Sequence, residues 1–222
     1  MTKPRHLDPL AEHVLSLLAG IPEADRIVLG GYLALQHHLD YRSTHDIDAW
    51  WRDRADAAAE ASIRRVMQQV AADTRMILRE RRFGDTMSFE LVREGQQRFS
   101  FQIAVRSIEI EEAVPSAWPP LRVETLADNV GGKMNALVNR GAPRDFLDIH
   151  AVVTGGLLTS ERCWQLWQAK NPDGAVDTAK RNLLLHLASI EARRPLDTIP
   201  DPSERDRARQ VRDWFRETFL QG

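Results

Sequence analysis

The hydrophobic period of this chain changes once, and that change constrains the fold more than any other feature. Before residue 113, short apolar runs alternate with helical stretches; from Thr125 onward every strong pattern repeats at helical spacing. In the first part, Asp8 is placed to cap a helix opened by Pro9, with Leu10, Val14, Leu17 and Leu18 at helical intervals and Gly20 ending the run. Arg26-Ile27-Val28-Leu29 predicts a short buried strand running into Gly30-Gly31, and Tyr32, Leu33, Leu35 and Leu39 predict a helix after it. A second strand is expected over 45–51 and an Ala-rich helix over 57–70. Further strands are expected near 75–78, 86–92 and 98–105, the last two joined as a hairpin by a polar turn at Gly95. The stretch from Ala113 to Pro120 holds three prolines and a tryptophan and predicts a linker. The expected organisation is therefore a mixed α/β half over 1–112, a Pro-rich linker over 113–124 and a helical half over 125–222. Helices in that half are expected over 125–139, 144–153, 160–170, 176–192 and 203–220.

Composition narrows the class. At 222 residues and 43% hydrophobic, the chain has enough apolar surface for a sizeable core, so global disorder is excluded. No run approaches the ~20 apolar residues of a bilayer span, and the charged N-terminus is no signal peptide. A cytoplasmic protein without membrane partners is the expectation. The lone Cys163 excludes an intramolecular disulfide and a Cys-rich zinc site. With 30 Lys+Arg against 32 Asp+Glu, the chain is no general nucleic-acid coat. Two local basic patches stand out, Arg79, Arg81 and Arg82, and Arg205, Arg207, Arg209 and Arg212; each reads first as a solvated face.

Three clusters carry candidate chemistry. Gly30-Gly31, between a strand and a helix, lets backbone come close to a bulky anion. About fifteen residues on, Asp46-Ile47-Asp48 lies on the next strand, where residues two apart share a face. The two carboxylates would stand side by side with Ile47 turned into the core. Their repulsion is relieved by a divalent cation, and Mg²⁺ favours hard oxygen ligands together with substrate phosphates. A glycine turn for phosphates beside a carboxylate pair for metal is what nucleotidyl transfer from an NTP requires. The second cluster runs from Asp128 through Asn129 and Gly132 to Lys133 and Asn135. Lys133 is the single lysine between Lys3 and Lys170, and on a helix it would serve as a point charge for a triphosphate. The third cluster, Arg140 to Asp148, reads as a helix–turn–helix corner closed by Gly141 and reopened by Pro143, with an Arg–Asp network of Arg140, Arg144 and Asp145. Asp148 is placed to tune Lys133 or to act as a general base.

Taken together, the segments IVLGGYLAL, RSTHDIDAW and LADNVGGKMNALVNRGAPRDFLDIHAV resemble the AbiEii/AbiGii-type nucleotidyltransferases, in the DNA polymerase beta-like nucleotidyltransferase superfamily. The resemblance spans roughly residues 25–155. It implies an α+β fold, with a polymerase-beta-like core of mixed sheet and flanking helices followed by a C-terminal helical domain. By that resemblance Gly30, Gly31 and Thr44 line the phosphate site, and Asp46 and Asp48 bind Mg²⁺. Lys133 and Arg144 contact the nucleotide, and Asp148 is a second catalytic acid. The implied activity is transfer of an NMP unit from an NTP to an acceptor, RNA or tRNA first, by the toxin of a toxin–antitoxin or phage-abortive system. A cognate antitoxin is then a partner. Two alternatives are a protein-modifying transferase and an impaired module that only binds a nucleotide or a partner. The impaired reading rests on one departure. The superfamily's third carboxylate comes from a later strand, and here alternation over 99–105 puts neutral Gln102 in that place, with Glu90 on the partner strand as a substitute.

Other signals read as structural. His37, His38 and His45 match no zinc spacing. Trp50 and Trp51 end a strand, and Trp164 and Trp167 lie three apart on a helix beside a buried Cys163.

Overall fold

The computed structural model describes residues 2–39, 41, 44–106 and 108–221. Arg42 and Ser43, which open the second resembling segment, lie outside the described residues. The chain divides into two compact units, Met1–Asn129 and Val130–Gly222.

The first unit is built on one mixed sheet. Its strands are β1 (Ile27–Leu29), β2 (Asp46–Trp51), β3 (Ile77–Phe83), β4 (Thr86–Arg93), β5 (Gln96–Val105), β6 (Val114–Pro115) and β7 (Arg122–Val123), in the order β3-β4-β5-β2-β1-β7-β6. The β2–β5 and β1–β7 pairs are parallel and the rest antiparallel. Three helices accompany it, α1 (Pro9–Leu18), α2 (Gly31–Gln36) and α3 (Ala57–Thr74). Asp8 caps α1 by accepting from the N–H groups of Leu10 and Ala11, and Asp56 caps α3 in the same way. These carboxylates satisfy amides that no helical carbonyl reaches.

The core lies on one face of the sheet. Val14, Leu15 and Leu18 of α1 and Ile63, Met67 and Val70 of α3 join Ile47, Ala49 and Trp51 of β2, Phe89 and Leu91 of β4, and Phe99, Phe101 and Ile103 of β5. Every second residue of those strands is buried there, so the intervening residues face the other way.

Two elements differ from the sequence expectation. β3 runs to Phe83 rather than ending near 78, because its charged alternation has one face on α3: Glu80 pairs with Arg64, and Arg82 with Glu60. The Pro-rich segment 113–124 contributes β6 and β7 to the sheet, with Trp118, Leu121 and Val123 buried. Prolines are tolerated in such short terminal strands, where few ladder hydrogen bonds are lost. Its turn composition outweighed, in the sequence, the apolar residues that anchor it.

The boundary between the units falls within α4 (Leu126–Asn139). The second unit continues with α5 (Pro143–Thr154), α6 (Ser160–Lys170), α7 (Val176–Arg193) and α8 (Pro202–Trp214), followed by a π-helical turn over Phe215–Phe219. Its core is aromatic: Phe146 meets Phe215 edge-on at 4.8 Å, and Trp164 packs on Phe219 at 5.4 Å. Burial pushes the Cys163 thiol up to about 12, which leaves it an inert core side chain. Among the described residues no helix is long and apolar enough to cross a membrane.

Candidate functional site

Strand alternation brings the two aspartates together. Ile47 and Ala49 are buried in the core, while Asp46 and Asp48 are half-buried on the opposite face. Thr44 fixes the entry to β2, its Oγ accepting from the Asp46 N–H at 3.1 Å. Ser100 then donates to Asp46 Oδ1 at 2.6 Å.

The double glycine lies directly beside this pair. β1 runs antiparallel to β2, and the Gly30 N–H donates to the Asp48 carbonyl at 2.8 Å. Gly31 has φ +59°, a conformation that costs any L side chain, and a Cβ there would lie 2.1 Å from Asp48 Oδ2. A Cβ on Gly30 would lie 2.4 Å from Trp50 Nε1 and 2.7 Å from Glu124 Oε2. Both positions are therefore sterically restricted to glycine.

Glu124 and Arg106, which the sequence reading missed, hold this turn together with Asn129 of the second cluster. Glu124 is buried and follows β7, its N–H bonded to the Leu29 carbonyl at 2.9 Å. Asn129 donates from Nδ2 both to Glu124 Oε2 at 3.0 Å and to the Gly31 carbonyl at 2.8 Å. Arg106, 8% exposed, lies 3.4 Å from both Glu124 and buried Asp128 and also pairs with Glu109. Asp128 in turn accepts from the N–H groups of Ile110 and Glu111. Asp128 thus anchors the loop that carries Ile110 and Glu111. Beside the turn, Trp50 Nε1 and Asn129 Oδ1 are buried without a hydrogen-bond partner among the described residues. Such atoms are costly to leave unsatisfied, and a polar ligand or water would supply the missing bonds.

The register fixes what lies next to the aspartates. Asp46 is opposite Ser100 and Asp48 opposite Gln102, so the residue beside Asp48 on β5 is an exposed neutral amide. Glu90 is opposite Ser100 from β4 and so shares the face, but two strands from Asp46, about 10 Å by strand spacing. It lies 3.6 Å from Arg81. Among the described residues no group of three or more His, Cys, Asp or Glu side chains is arranged to hold a metal. Two carboxylates with neutral oxygens nearby nevertheless suit Mg²⁺, which takes one or two protein carboxylates and completes its shell with water and phosphate oxygens.

The second unit holds the other predicted residues. Lys133 Nζ lies 2.6 Å from Asp148 Oδ2, with side chains 12% and 1% exposed, so α4 and α5 bring together the pair expected across the corner. Gly141 turns the corner at φ +54°, where a Cβ would strike His186. Arg140 grips Asp145 through Nε and Nη2 at 2.9 and 2.8 Å, and Asp145 also accepts from the Ala142 N–H at 3.1 Å. Arg140 and Asp145 thereby tie the corner together, and Arg144, next to Asp145 in the chain, is exposed.

The sheet, the glycine turn and the paired aspartates define a nucleotidyltransferase-type core followed by a helical region. The family model described as "Nucleotidyl transferase AbiEii toxin, Type IV TA system" matches residues 15–218, nearly the whole chain. The chain belongs to that family, the nucleotidyltransferase toxins of type IV toxin–antitoxin systems, and the family implies an antitoxin as partner. No curated protein matches the chain.

Proposed function

We propose that this protein transfers an NMP unit from an NTP to an RNA acceptor, tRNA foremost, in a Mg²⁺-dependent reaction in the cytoplasm, and that its toxicity comes from blocking translation. The carrying observation is the pair Asp46 and Asp48 on one open face, with Gly31 so close to Asp48 that no side chain fits between them. In the transfer an acceptor hydroxyl oxygen bonds to the α-phosphorus as its proton passes to solvent water. The bond from that phosphorus to the bridging oxygen breaks, releasing pyrophosphate.

Asp46 and Asp48 would hold the cation, with Ser100 orienting Asp46. When bound, Mg²⁺ supplies positive charge to the phosphoryl oxygens and to the attacking and leaving oxygens. Gly30 and Gly31 admit the phosphates to the backbone, and Thr44 borders them. The family resemblance assigns phosphate neutralisation to Lys133, whose ammonium Asp148 holds in place, and a second cation for the nucleotide to Arg144.

A second reading, a module that binds NTP without transferring it, is favoured by the neutral Gln102 opposite Asp48. One experiment separates them. The protein is incubated with α-labelled NTPs and cell lysate, and the product is digested with RNase or with protease. RNase-sensitive label is expected. Protease-sensitive label would reassign the acceptor, and NTP binding by calorimetry with no label in any polymer would favour the second reading.

A further inference from the structure

The aspartate face continues across the sheet to its outer edge, and its chemistry changes along the way. The strand register aligns two rows: Asp46–Ser100–Glu90–Arg79 and Asp48–Gln102–Ser88–Arg81. Directly opposed residues share a face, so both arginines stand on the same side as the aspartates. Three strand spacings separate them, about 14 Å. Alternation along β3 puts Ile77 and Phe83 on that side too, 64% and 70% exposed. Arg82, by contrast, points to α3, where both its terminal nitrogens bond Glu60.

The face therefore runs from a carboxylate end, through Ser100, Gln102, Ser88 and the Glu90 carboxylate that lies 3.6 Å from Arg81, to two guanidinia beside an exposed aromatic ring. Among the described residues Arg79 has no ion-pair partner, and Arg81 reaches only the edge of Glu90 at 3.6 Å. Neither arginine contributes to the core. A solvated strand edge does not require Phe83 to be bare, and an exposed ring beside guanidinium groups is the composition that holds a single nucleic-acid strand. Phosphates meet arginine, and a base stacks on the ring. The intervening Ser88, Ser100 and Gln102 offer donors and acceptors that suit ribose 2′-hydroxyls, which DNA lacks.

We infer that Arg79, Arg81 and Phe83 form the docking platform for the acceptor, a single-stranded RNA end whose terminal ribose is led along the sheet face toward Asp46 and Asp48. This rests on the transferase reading above. The platform acts by positioning: it holds the strand some 14 Å from the carboxylates, by strand spacing, and takes no part in bond making.

The test is binding of a fluorescent single-stranded RNA oligonucleotide to the full chain without NTP, across a salt series, with Mg²⁺-NTP binding measured separately by calorimetry. Arg79→Gln with Arg81→Gln should weaken RNA binding roughly tenfold for each arginine and reduce the salt slope by about 1.4, the value for two phosphate contacts on a single strand. Phe83→Ala should weaken it about 5- to 150-fold with no change in slope, and Phe83→Tyr should restore it. NTP binding should be unchanged in all three, and Asp48→Asn should do the reverse. RNA binding unaffected by these variants overturns the platform, as does equal affinity for a single-stranded DNA oligonucleotide of the same sequence measured alongside. Concentration-dependent dimerisation lost in Phe83→Ala, without RNA binding, would show instead that this edge pairs with a second copy. Absence of NTP binding in the unaltered protein would overturn the transferase reading and leave the RNA result standing by itself.

Discussion

Adding one methyl group at two glycines of this chain should have opposite effects. At Gly31, alanine would adopt φ +59°, which costs about 1–2 kcal/mol for an L residue. Its Cβ would also lie 2.1 Å from Asp48 Oδ2 and 2.8 Å from Asp48 Cβ and Cγ. Asp48 has little room to retreat, because the Gly30 N–H holds its carbonyl at 2.8 Å and β2 is fixed between β1 and β5. Relieving the overlap adds about 1–3 kcal/mol, for a total of about 2–5 kcal/mol. At Gly132, a Cβ meets nothing within 4 Å and the residue lies inside α4, so alanine should stabilise by about 0.5–1 kcal/mol through helix propensity. Urea unfolding followed by circular dichroism reads both values, provided the slope with denaturant stays constant. Gly31→Asn separates the two costs, since asparagine tolerates the left-handed conformation but keeps the overlap. Gly31→Ala within about 0.5 kcal/mol of the unaltered protein would refute the packing of the turn on Asp48.

Two further outcomes follow from the helical unit. Lys133→Met should cost about 2–4 kcal/mol, because it leaves the Asp148 carboxylate, 1% exposed, without its ammonium; the double variant with Asp148→Asn should lose clearly less than the sum of the two single changes, and additive losses in denaturation would contradict the pairing. Burial, helped by Arg207, holds the His150 imidazole below its ordinary value, so the native state resists the proton that the unfolded chain accepts below about 6.5. Stability should therefore fall as pH drops from 7.5 towards 5.5. His150→Phe, which keeps a ring against Trp214, should show a shallower fall, and an unchanged or steeper Tm profile would contradict this.

Much of this arrangement was legible in the residues because local physics dictates it. Asp8 and Pro9 mark a helix start by their hydrogen-bonding capacity alone, and the alternation of Asp46-Ile47-Asp48-Ala49 forces the carboxylates onto one face. Gly141 and Pro143 likewise gave the corner that brings Lys133 to Asp148. What escaped was set by tertiary contact. The alternation of β3 is hidden because its core-side residues Glu80 and Arg82 are charged and pair with α3 instead of being apolar. Glu124 carries no motif, and Asn129 stood in a candidate cluster without a role of its own: they matter because β7 and the first turn of α4 bring them to the glycines. Asp128 stood in a candidate cluster on helical spacing alone, and spacing does not show that its oxygens are taken by loop amides and Arg106.

The central claim is that Asp46 and Asp48 act together as the cation-holding pair of a nucleotidyltransferase, and labelling from an α-labelled NTP in the presence of Mg²⁺ tests it most directly. With Asp46→Asn and Asp48→Asn combined, and circular dichroism showing the fold retained, incorporation into the acceptor should disappear. Incorporation at the unaltered rate in that folded double variant would contradict the account.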